Sequence, residues 1–147
     1  MKEYSVKHDT FSIERNYNVL PAGVFAAWAD PAIKANWFPK SDEFDFRVGG
    51  REIVRGAPPE GPIYTSVATY QEIVPDKRIV YTISIDMGET RISVSVTTVE
   101  FKAEGAGTKL IYTEQCAFLD RLDSLEDHMH GAKEFLDSLD AELKRTH

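Results

Sequence analysis

The chain has 147 residues, 42% of them hydrophobic, and a formal net charge of -7. That length suits a single domain, 1–147, with a sizeable core, and the acidic balance argues against nucleic acid or an anionic membrane as partner. No apolar run is long enough to span a bilayer. The polar start Met1-Lys2-Glu3-Tyr4 lacks the pattern of a signal peptide, and the lone Cys116 excludes an internal disulfide, which points to a reducing cytoplasm.

Residues 9–18 alternate, with Phe11 and Ile13 on one parity, and predict a first strand. Pro21 opens a short helix with Val24, Phe25 and Trp28 on one face. Asp30-Pro31 restarts the chain as an N-cap followed by proline at the first helical position. Ile33 and Trp37 lie four apart on this second helix, which Pro39 closes. Strands follow. Phe44, Phe46 and Val48 alternate, and Gly49-Gly50 signals a two-residue hairpin returning through 51–55. A proline- and glycine-rich loop at 56–62 leads to a strand over 63–74, and Pro75-Asp76-Lys77 turns the chain.

In 78–87, Ile79, Tyr81, Ile83 and Ile85 face one way and Arg78, Thr82, Ser84 and Asp86 the other. After Gly88-Glu89, residues 91–101 alternate again. The pattern predicts Ile92, Val94 and Val96 inward and Arg91, Ser93, Ser95 and Thr97 outward. A turn at 104–107 precedes the last strand, 109–118, on which Leu110, Tyr112, Glu114, Cys116 and Phe118 share a parity.

The final stretch, 123–144, carries Leu125, Met129, Ala132, Leu136, Leu139 and Leu143 at steps of four and three, one stripe of an amphipathic helix. Asp123 with Glu126 three residues on resembles a capping box, and Lys144 and Arg145 suit the helix C-terminus. Short turns between successive strands imply antiparallel neighbours. The α+β arrangement that buries every stripe is a seven-stranded antiparallel curved sheet around the long C-terminal helix, with two short helices after strand 1.

The run Val24-Phe25-Ala26-Ala27-Trp28-Ala29-Asp30-Pro31, then Asn36-Trp37-Phe38-Pro39 and Phe46-Arg47-Val48-Gly49-Gly50, resembles a known superfamily. So do Glu72-Ile73-Val74-Pro75-Asp76-Lys77-Arg78-Ile79, Gly107-Thr108-Lys109-Leu110 and Gly131 with Leu136, Leu139 and Leu143. In order and spacing they are similar to the START-like or SRPBCC superfamily, in the branch of heat-shock-protein ATPase activator homologues. The resemblance covers roughly residues 11–143. It implies the helix-grip fold, with a cavity between sheet and helix that often holds an apolar ligand, but not one chemistry.

Glu114 is the leading candidate site residue. If Leu110 and Phe118 face the helix, Glu114 does too, and a buried carboxylate is costly unless paired or protonated. It reads as a polar anchor or a general acid/base, or else as a structural pair with an Arg or Tyr. His128 lies about 40° from the centre of the helix stripe and can look into the cavity, whereas His130 lands nearly opposite. A Glu114–His128 pair could shuttle a proton. The alternative for His128 is a satisfied boundary histidine.

His128 and His130, two apart on a helix, point away from each other, so no metal is expected, and no cofactor motif is present. Cys116 reads as a buried apolar thiol. Trp37, Phe38, Tyr64, Tyr81, Tyr112 and Phe135 are the aromatic candidates for a ligand wall, with core packing as the alternative for each. Gly131 leaves a gap on the helix flank.

Three readings follow. The first is a binding module for a hydrophobic or aromatic small molecule anchored by Glu114. The second is an acid/base enzyme, a cyclase, dehydratase or hydrolase of aromatic or polyketide-like substrates, using Glu114 and His128. The third, from the branch name, is a chaperone-directed domain. Alternating edge strands make a homodimer an expectation as well.

Overall fold

In a computed structural model, residues 3–56 and 61–147 are described; the central part of the loop expected at 56–62 lies outside them. The elements run β1 (Val6–Tyr17), α1 (Pro21–Ala29), α2 (Pro31–Lys34), β2 (Glu43–Phe44), β3 (Arg51–Gly56), β4 (Tyr64–Val74), β5 (Arg78–Met87), β6 (Thr90–Glu104), β7 (Gly107–Leu119) and α3 (Leu125–Thr146). All seven strands join one antiparallel sheet in the order β1-β7-β6-β5-β4-β3-β2. This is the helix-grip arrangement that the alternation and the final amphipathic stripe call for.

The core forms where α1 and α3 meet the inner face of the sheet. Ala132, Leu136, Leu139 and Leu143 of the α3 stripe are buried, with Leu125 and Met129 packed at its margin. Opposite them stand Leu110, Tyr112, Cys116 and Phe118 of β7. Trp28 and Trp37 meet edge to face at 5.0 Å, and the indole of Trp37 donates to the Ala27 carbonyl at 2.9 Å, fixing α2 beneath α1. Asp30 caps α2 by accepting from the Ala32 amide at 2.9 Å. Arg15 on β1 donates to Asp137 (2.8 Å) and Asp140 (2.7 Å), tying the sheet edge to α3.

Four local expectations are corrected. The strand expected through Phe44, Phe46 and Val48 ends at Phe44; Phe46 still packs inward, but Val48 is exposed. The Gly49-Gly50 hairpin is a longer connection. Gly49 has φ +84° and donates its amide to the Tyr70 carbonyl, while a Cβ on Gly50 would meet the Asp45 carbonyl oxygen at 2.1 Å.

The third correction concerns β6. Ile92 is buried as expected, but so are Ser93, Ser95 and Thr97, whereas Val94 and Val96 are exposed. The turn pairs Met87 with Thr90 and Asp86 with Arg91, which alone would set Ile85 opposite Ile92 and Ile83 opposite Val94. A bulge between Ile85 and Asp86 moves the register by one, so Ile85, Ile83 and Tyr81 face Ser93, Ser95 and Thr97. Such a shift turns every following side chain over.

The fourth is the start of α3. The N-cap is Ser124, whose hydroxyl accepts from the Asp127 amide at 3.2 Å, and Asp123 is left free for another task. Among the described residues, no helix is long and apolar enough to cross a membrane.

Candidate functional site

A cleft of about 860 Å³ opens between α3 and the sheet. The alternation of β5 points Ile83 and Ile85 into it, and the bulged β6 adds Ser95. From α2 and its C-terminal extension come Trp37 and Phe38, and from α3 comes Phe135. Phe38 and Phe135 meet at 5.3 Å and Phe135 and Tyr112 at 5.5 Å, so one wall is a row of aromatic rings. Tyr64 lies at the mouth, 40% exposed.

Of the candidates read from the sequence, Trp37, Phe38, Tyr64, Tyr112, Glu114, His128 and Phe135 border the cleft. Tyr81 does not: it is buried behind the wall. Cys116 is buried, as its parity implied. His130 is exposed, pairing with Glu134 at 2.9 Å on the far side of the helix.

At one end of the cleft the parity of β7 and the first turn of α3 bring polar groups together. Glu114 accepts from the Tyr112 hydroxyl at 2.9 Å on one oxygen. Its other oxygen takes the Cys116 thiol at 3.2 Å and His128 Nδ1. His128 Nε2 meets Asp123 Oδ2 at 2.6 Å. The Asp123 side chain also accepts from the Ser124 amide at 2.8 Å, which orients it.

An imidazole can donate from both nitrogens only as the cation. Burial pulls the His128 pKa down, but hydrogen bonds to Asp123, Cys116 and Glu114 outweigh it and raise it from 6.5 to about 12. Burial pushes the Asp123 carboxyl up, yet the bonds to His128 and Ser124 hold it below the usual carboxylate range. Burial raises the Cys116 thiol, so it is no activated nucleophile. The cluster is thus an imidazolium clamped between two carboxylates, facing an aromatic-walled cleft.

Asp123 and the β6 hydroxyls escaped the sequence reading. Asp123-Ser124 offers two adjacent capping residues, and only the backbone decides which caps. Val99 and Phe101, which share a parity with Ser93, Ser95 and Thr97 and are buried, are the signal that could have placed β6 correctly.

Gly131 borders the cleft, and a Cβ there would meet nothing within 4 Å. No close strand requires the glycine. Gly131→Ala is therefore expected to stabilise the chain by about 0.5–1 kcal/mol, read from its urea midpoint, because glycine inside a helix carries an entropic cost.

A seven-stranded antiparallel sheet gripping a C-terminal helix, with a cleft between them, defines a START-like protein of the SRPBCC class. The chain belongs to the Activator of Hsp90 ATPase homolog 1-like family, whose model matches residues 18–144. Its structure is similar to that of the Mll3558 protein from Rhizobium loti, at 43% sequence identity and a TM-score of 0.88, over 94% of this chain and 99% of that one. An uncharacterised protein from Rhizobium leguminosarum is 40% identical with a TM-score of 0.91, over 98% and 99% of the two chains. Protein CV1439 from Chromobacterium violaceum is 26% identical with a TM-score of 0.78, over 91% and 96%. A comparison with curated proteins found no match.

Proposed function

We propose that this chain binds a small hydrophobic or aromatic molecule in the cleft between α3 and the sheet, in the reducing cytoplasm. The observation that carries the reading is the division of the cleft: aromatic rings along one wall and a hydrogen-bonded acid–imidazole cluster at one end. Its volume, about 860 Å³, is within the roughly 300–1,000 Å³ typical of small-molecule sites. Trp37, Phe38, Tyr112 and Phe135 stack on the ligand's apolar body. Glu114 anchors a donor such as a phenolic hydroxyl.

The second reading, acid/base catalysis by Glu114 and His128, is less well supported. Both His128 nitrogens are engaged, and an imidazole with a pKa near 12 is a poor proton acceptor at neutral pH. The chaperone-directed reading draws on the family name alone.

The test is a thermal-shift screen with aromatic, polyketide-like and fatty-acid compounds. A ligand at 100 times its Kd adds about 2.7 kcal/mol, a shift of several degrees for a chain this size. Binding is expected to weaken in Glu114→Gln, and turnover of the hit to be absent. Turnover that Glu114→Gln reduces by about 10²–10⁴-fold would favour the enzyme instead. No shift with any compound, and no ligand copurifying in native mass spectrometry, would overturn both.

A further inference from the structure

The geometry points to a zinc site at the polar end of the cleft, with Glu114, Cys116 and His128 as ligands and Asp123 orienting the histidine. In sequence, His128 and His130 point apart on the helix and no local metal-binding spacing is present. The fold instead assembles three donors of different chemistry, one each from a carboxylate, a thiol and an imidazole, all within 4.8 Å of one another. Two come from alternate positions of β7 and one from the first turn of α3, so a rigid strand and a capped helix hold them.

Donor identity and geometry suit zinc. A tetrahedral Zn²⁺ with bonds of about 2.3 Å to sulfur and 2.0–2.2 Å to nitrogen and oxygen holds its ligand atoms roughly 3.5 Å apart. Cys116 Sγ stands 3.9 Å from His128 Nδ1 and 3.2 Å from the Glu114 oxygen, close to that spacing on both sides. Only the Glu114–His128 contact has to open. Thiolate with imidazole selects zinc over magnesium or calcium.

The surroundings repeat a known zinc arrangement. His128 uses Nδ1 toward the other donors and leaves Nε2 on Asp123 at 2.6 Å. A ligating histidine almost always gives its second nitrogen to a carboxylate, a backbone carbonyl or water, and here Asp123 takes that place. Glu114 and His128 both border the cleft, so the fourth coordination position opens into it.

The exchange balances. In the protonated cluster, the thiol proton and the Nδ1 proton occupy the space between the donors. One Zn²⁺ enters and these two protons leave, so the cluster keeps its net charge and the second carboxylate, Asp123, stays paired with an Nε2–H. Two protons released per metal is a signature that adventitious binding to exposed carboxylates does not share.

The test uses the full chain stripped by chelation and kept free of organic ligand, so its outcome is independent of the small-molecule reading above. Calorimetric titration with Zn²⁺ in buffers of different ionisation enthalpy is expected to give one metal per chain with release of two protons. Zinc should protect Cys116 from alkylation, and Co²⁺ should produce a thiolate-to-metal charge-transfer band. Cys116→Ser should remove the band and weaken zinc binding, Asp123→Asn should weaken it about 10–100-fold, and His130→Gln should leave it unchanged. Absence of stoichiometric binding overturns the site. So does binding that leaves the slow alkylation rate of the buried Cys116 unchanged in the wild type, a readout that needs no variant to fold.

Discussion

Replacing Glu52 by alanine is expected to remove about 3–5 kcal/mol of stability, the usual consequence of breaking one side of a buried ion pair. Lys34 and Glu52 are each 5% exposed, and Lys34 Nζ donates to Glu52 Oε1 at 2.7 Å. The Ser41 hydroxyl donates to the other oxygen at 2.7 Å, and the Tyr70 hydroxyl lies 3.3 Å from Oε1. Around the ammonium stand the rings of Phe38 at 4.4 Å and Phe44 at 4.7 Å. Burial holds the Lys34 pKa below its ordinary value even with Glu52 beside it. Without the carboxylate, the lysine is left to shed its proton or to draw in water, and both cost free energy. At roughly 2–4 °C per kcal/mol for a chain this size, the melting temperature should fall by about 10 °C. The double variant Lys34→Met/Glu52→Leu should recover most of that, because a buried pair exchanged for apolar residues is often neutral. A loss under about 1 kcal/mol for Glu52→Ala would mean that water reaches the pair.

The second large effect belongs to His128. His128→Leu leaves Glu114 and Asp123, with side chains 6% and 9% exposed, without the cation between them. The cost at pH 7 is expected to be about 3–5 kcal/mol. Its pH dependence has a definite sign. The His128 pKa is raised from 6.5 to about 12, so the folded state holds a proton that the unfolded state releases. That contribution is complete below about pH 6.5 and drains away as the pH climbs towards 12. The lowered Asp123 pKa works the other way: its contribution is present above the ordinary value of 3.8 and is lost as the pH falls below it. Urea unfolding of metal-free protein between pH 6 and pH 10 should therefore show the gap between wild type and His128→Leu narrowing as the pH rises. A gap of constant size would mean that His128 is neutral in the folded protein.

Where the sequence could be read, one element had one consistent period. The stripe of α3 and the alternation of β5 and β7 state their faces without help from neighbours, and they carry Glu114 and His128 into the same place. Parity on a strand and angle on a helix were enough to pair them. The Lys34–Glu52 pair was illegible because its residues are 18 apart and nothing local distinguishes a lysine destined for burial. Asp123 was misread as a cap because Asp and Ser both satisfy that role. On β6 the signal contradicted itself: Ile92, Val94 and Val96 vote for one face, Val99 and Phe101 for the other. The tertiary context chose the second pair, since Phe101 packs on Phe25 at 5.5 Å and Val99 pairs with Tyr112.

That divided vote bears on how the chain folds. The β5–β6 hairpin closes through Gly88-Glu89, one of the most local pairings in the sheet, and hairpins form in about 1–10 μs. Zipping outward from the turn without a bulge would bury Val94 and Val96 and send Val99 and Phe101 to solvent. The aromatic residues of α1 that secure Phe101 come from more than 70 positions away (Phe25 to Phe101) and pay a larger loop-closure entropy. The bulge-free hairpin is therefore the competing local pairing, one residue out of register with the native sheet. The native register is the one that buries Val99 and Phe101, so truncating either is expected to weaken the bias toward it and to slow refolding.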